Sequence, residues 1–117
     1  MLEAINRSMV ELVADIGSTD GIGSGVMAGA SPDNLVFAIH NHLGNAFQLL
    51  DSSVGAINAS EQYLACKSAQ KELDELAGSL FRAQQNDILS ERLFLRFNAR
   101  IRSLIDQISD IIDTEYS

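Results

Sequence analysis

The chain has 117 residues, with 8 basic and 16 acidic groups, a formal charge of −8 and a hydrophobic fraction of 46%. That length suits one domain with a modest core. The acidic balance argues against nonspecific nucleic-acid binding and against docking on an anionic membrane, both of which need basic surface.

The first predicted element is an amphipathic helix over residues 2–16. Leu2, Ile5, Met9, Leu12 and Ile16 recur at steps of three and four, with Val13 beside them, while Glu3, Asn6, Arg7, Glu11 and Asp15 lie away from that line. Gly17 follows as a natural C′ residue. Residues 17–30 hold five of the eight glycines. Gly21, Gly23 and Gly25 alternate, yet no Gly-Lys-Ser/Thr follows and no strand pattern precedes them. A phosphate cradle needs both, so a flexible glycine-rich connector is expected here.

The second helix starts cleanly. Ser31 suits the N-cap, Pro32 the first helical position, and Asp33 the positive end of the macrodipole. Val36, Ile39, Leu43, Ala46, Phe47, Leu50, Val54 and Ile57 form its apolar stripe, opposite Asn41, Asn45, Gln48 and Ser52. A face rich in amides and nearly free of charge suits contact with another helix, because amides cost less to desolvate than full charges. Asn58 and Glu61 have capping-box spacing and predict the start of a third helix. Only Gly55 and Asn58 interrupt the pattern, so the same residues also permit one long bent helix. The third seam reads Cys66, Ala69, Leu73, Leu76, Leu80 and Ala83, flanked by Tyr63, Leu64, Ala77 and Phe81.

Asn86, Asp87 and Ser90 are cap candidates for a last helix over residues 90–115. Its seam is Phe94, Phe97, Ile101, Leu104, Ile108 and Ile111, widened by Ile105 and Ile112. At 1.5 Å per residue this helix is about 39 Å long, roughly 15 Å longer than the first. The pattern predicts an all-α, antiparallel bundle of three or four helices. A homodimer joined along the last helix is expected, because that seam outruns the first helix.

Charge along the last helix is uneven. Arg92, Arg96 and Arg100 stand at successive i+4 steps, where like charges repel by about 0.2–0.5 kcal/mol per pair. An acidic counterpart is therefore expected, either the third helix's Glu61, Glu72 and Glu75, or else a partner protein or the symmetry-related subunit. Leu95 lies about 120° off the apolar seam, and Phe37 is similarly displaced on the second helix. Together with the arginines they are the candidate interaction residues.

The segment Ile39-His40-Asn41-His42-Leu43 carries both histidines. They lie about 200° apart on a helix, so one helix cannot chelate a metal through both. No metal or other cofactor is expected. The segment resembles the phospho-acceptor helix of histidine-kinase dimerisation domains and histidine phosphotransfer proteins. That resemblance implies His40 as the accepting base. The sequence departs from the pattern in having Asn41 where a charged residue usually follows, and in having no proline after it.

Catalysis finds little else to stand on. Cys66, the only cysteine, sits on a helix seam and reads as a small buried hydrophobe. It permits no intrachain disulfide. Glu72 and Glu75 have the spacing of a solvated helix face, and no Glu-x-x-His pair of a di-iron bundle occurs. The N-terminus shows no basic region followed by an apolar stretch. The charge-free run 34–50 carries three asparagines, two histidines and a glutamine, a composition unsuited to a membrane span. These observations predict a cytoplasmic, non-enzymatic interaction module: an adaptor, a chaperone, or a bacterial or phage-type inhibitor of a partner protein. A phosphorelay protein and a subunit of a helical assembly are the alternatives.

Overall fold

A computed structural model describes residues 2–19, 35–55 and 58–116. Four helices account for nearly all of them: α1 (Leu2–Gly17), α2 (Leu35–Val54), α3 (Ala59–Gln85) and α4 (Glu91–Tyr116). Each is antiparallel to its two neighbours. α2 pairs with α3, α3 with α4, and α1 closes the ring against both α2 and α4. Cross-helix bonds set the register. Gln70 of α3 donates to the Ile105 carbonyl (3.1 Å) and to Ser109 Oγ (2.7 Å) on α4, while Arg102 reaches Asp74, about one turn further along α3. α2 and α3 are separate helices. Asn58 caps α3 by accepting the Glu61 amide at 2.8 Å, half of the box that its spacing predicts.

The core follows the predicted stripes closely. Ile5, Met9, Leu12 and Ile16 of α1 are buried, as are Val36, Ile39, Leu43, Ala46 and Leu50 of α2. The whole α3 seam is buried too, and Ala77 with it. Val54 departs from its stripe and is exposed at the end of α2.

On α4 the residues predicted to join two subunits are instead internal to one chain. Phe97, Ile101, Leu104, Ile108 and Ile111 are each at most 4% exposed, and Phe94 is half-buried against the Phe81 ring. The physical reason is length. α3, with 27 residues, matches the 26 of α4 and covers the part that α1 leaves open. A second subunit is not needed to cover this seam.

Three local expectations are corrected. α1 runs through Gly17 rather than stopping before it: the Ser18 amide still bonds to the Ala14 carbonyl, and the Ser18 and Thr19 hydroxyls satisfy the Asp15 carbonyl. Asn41, Gln48 and Ser52 of α2 face solvent rather than another helix. Asn86 and Asp87 end α3 instead of starting α4. The Ile88 amide bonds to the Ala83 carbonyl (2.9 Å) and the Asp87 amide to the Gln84 carbonyl (3.2 Å), with Asp87 in the left-handed region at φ 62°, which is a Schellman stop. Ser90 alone caps α4, its hydroxyl accepting the Leu93 amide at 3.2 Å. The predicted cap at Ser31, Pro32 and Asp33, and the connector beyond Thr19, lie outside the described residues.

Candidate functional site

The arginine ridge finds its counterpart within the chain, on an unexpected helix. Arg100 pairs closely with Asp15 near the end of α1, and Arg96 approaches the same carboxylate oxygen at 4.0 Å. None of Glu61, Glu72 and Glu75 takes part. α1 lies beside α4 on this edge, whereas α3 occupies the opposite edge, where Arg102 meets Asp74 at 2.8 Å. Arg92, the first member of the ridge, stands beyond the level of Asp15. It is exposed and makes no ion pair among the described residues.

Two neighbours complete this end of α4. Leu95 is 56% exposed, and Ala99 is also exposed. Arg92, Leu95, Arg96 and Ala99 therefore fall at i, i+3, i+4 and i+7 on one outward face. The stretch 92–102 holds four arginines, half of the chain's basic residues, and no carboxylate. Phe37 is as exposed as Leu95 but belongs to α2, away from this face.

The second cluster lies in the outer groove between α2 and α3. His42 Nδ1 is 2.6 Å from Glu72 Oε2 and 3.3 Å from Glu75 Oε2. All three residues are partly exposed, and Glu72 also borders an open surface hollow of about 300 Å³ with Asn45, Gln48, Leu49 and Ser52. Helix periodicity is what assembles the cluster. Glu72 and Glu75 share a face of α3 because they are three residues apart. His42 lies at the edge of the α2 stripe that meets that face.

In the sequence Glu72 and Glu75 read as a solvated face, and His42 has only His40 as a candidate co-ligand. The missing signal was the pairing of α2 with α3. Once an antiparallel hairpin is assumed, His42 comes level with residues 72–75, since Gln62 reaches back to the Ser53 carbonyl at its closed end.

His40 stays apart from this cluster. It is half-buried on the other flank of α2, within about 20° of Asp51 on the helical wheel. Asp51 accepts a long bond from Asn6 of α1, so that flank is the one turned to α1. Cys66 is fully buried. Burial pushes its thiol up from the ordinary value, against a smaller downward pull from a hydrogen bond with Ser53. A thiol held protonated is a weak nucleophile.

None of the four helices is long and apolar enough to cross a membrane, among the described residues. No protein-family model, curated protein or solved structure matches this chain.

Proposed function

We propose that this protein is a cytoplasmic helical interaction module that acts by binding a partner protein, without chemistry of its own. The observation behind the reading is the outward face at the start of α4. Arg92, Leu95, Arg96 and Ala99 have the spacing by which one helix presents anchors to a groove or to another helix. Outside residues 92–102 the chain carries 16 acidic and 4 basic residues, whereas this face is basic with a leucine at its centre. It suits a partner that offers carboxylates around an apolar pocket. Arginine supplies orientation and charge-assisted hydrogen bonds there, and leucine supplies buried apolar area.

A homodimer is the self-associating form of the same reading, with the acidic surface of a second copy as the counterpart. It uses the outside of α4 and leaves the internal seam intact. Regulator and inhibitor roles fit such a module, since occupying a partner's surface is all that inhibition requires.

The test is affinity capture from native lysate with the wild-type chain and an Arg92→Glu/Leu95→Asp/Arg96→Glu variant, with sedimentation of both pure proteins. Arg100 is kept so that its contact with Asp15 survives. A partner recovered by wild type and lost by the variant supports the reading, as does a wild-type dimer that the variant dissociates. Identical captures and identical sedimentation would reject it.

A further inference from the structure

We propose that His42, Glu72 and Glu75 form a binding site for a divalent transition-metal ion, with Zn²⁺ the best match. The site is distinct from the α4 face and stands or falls independently of it. One imidazole nitrogen and two carboxylate oxygens lie within 4.8 Å of one another, contributed by two different helices. Zinc bound by nitrogen and oxygen at about 2.0–2.2 Å places its tetrahedral ligands about 3.3 Å apart. The His42 Nδ1 to Glu75 Oε2 distance is already 3.3 Å. The Glu72 oxygen, at 2.6 Å, has to retreat by about 0.7 Å to make the second edge, taking the tetrahedron as reference. It is a partly exposed side chain beside an open hollow, so rotation of its outer torsions suffices.

Backbone placement favours the site. Each ligand is followed in sequence by a buried leucine: Leu43 after His42, Leu73 after Glu72 and Leu76 after Glu75. The three Cα positions are therefore held by the core, and only side-chain torsions remain to be set.

Charge favours it as well. Glu72 and Glu75 repel each other at i, i+3 spacing, and among the described residues no lysine or arginine pairs with either. A neutral imidazole with two carboxylates balances one divalent cation. Binding displaces any Nδ1 proton into solvent and leaves a fourth position for water. The imidazole nitrogen disfavours Ca²⁺ and Mg²⁺, which take oxygen ligands.

The experiment titrates the metal-free full chain with Zn²⁺ against a chromophoric chelator. Histidine ring resonances are followed by NMR in parallel. One equivalent should bind, perturbing the His42 ring and leaving His40 unmoved. His42→Gln should weaken binding by more than about 100-fold, since loss of an outer-sphere partner alone costs 10–100-fold. Glu72→Gln and Glu75→Gln should each weaken it at least about tenfold, and His40→Gln should leave it unchanged. Circular dichroism confirms that each variant is folded, and the wild-type NMR titration decides the matter if one is not. The proposal is overturned if Zn²⁺ shifts the His40 ring instead, if binding survives His42→Gln, or if the wild type binds no stoichiometric zinc at micromolar concentration.

Discussion

Two charged clusters brace the bundle on different flanks, and they are near mirror images. Between α1 and α4 a single carboxylate, Asp15, sits against two guanidinium groups, Arg96 and Arg100. Between α2 and α3 a single imidazole, His42, sits between two carboxylates, Glu72 and Glu75. The first cluster keeps its attraction over the whole physiological pH range, because arginine never loses its proton there. The second holds a cation at its centre only when the imidazole is protonated or a metal replaces the proton. The same geometric device is thus a permanent brace on one flank and a conditional one on the other.

The largest effect should come from the core that both flanks share. Phe97→Ala removes a ring that is 1% exposed and should cost about 3–5 kcal/mol of unfolding free energy in urea. Because Phe97 packs inside one chain, the unfolding midpoint of the Arg92→Glu/Leu95→Asp/Arg96→Glu variant, which lacks the proposed outer contact, should not move with protein concentration. A midpoint that rises with concentration would mean that subunit contacts contribute to the core after all.

Smaller changes separate the two flanks. Asp15→Asn leaves Arg96 and Arg100 facing each other and should destabilise by about 0.2–1 kcal/mol at low ionic strength, the range for surface ion pairs. The difference should shrink in concentrated salt. Glu75→Gln should act in the opposite direction. Without metal and with the imidazole uncharged, it relieves a like-charge pair on α3 and should add about 0.2–0.5 kcal/mol. Equal signs for these two substitutions in metal-free denaturation curves would erase the contrast between the flanks.

The smallest expected effect lies in alkali. Burial raises the Cys66 thiol in the folded chain, so the unfolded thiol ionises first. The unfolded state therefore binds fewer protons, and stability should fall as pH rises past about 8.5, the ordinary thiol value. Cys66→Ala should flatten that slope. The same thiol should react with a disulfide reagent slowly in the native state and quickly in urea.

Which side of each helix faces inward was legible from spacing alone. Cys66, Leu73 and Leu80 are buried because they repeat at helical intervals, and no distant information is needed to see it. The choice of neighbour was not legible. Periodicity marks an inner face but says nothing about which helix lies to its left or right, so Asp15 of α1 was not among the counterparts expected for the arginines, which were the α3 glutamates or another protein. The His42 cluster was hidden for the same reason, since its members are thirty residues apart and meet only once α2 and α3 form a hairpin. The α4 seam was misread through a length comparison with α1 alone, although α3 was long enough to cover it. Caps were half visible: residue type pointed to Asn86, Asp87 and Ser90, while the division between stop and start depended on the positive φ of Asp87.

The shortness of α1 has a dynamic corollary. It spans 16 residues and fastens to the bundle through Ile5, Met9, Leu12 and Ile16, whereas α3 carries eight buried residues along its length. Cooperative opening units form where apolar anchoring is sparse. In native-state hydrogen exchange the amides of α1 should lose their protection at lower opening free energy than those of α3. The molecule would then breathe from its first helix while the α2–α4 trio stays shut.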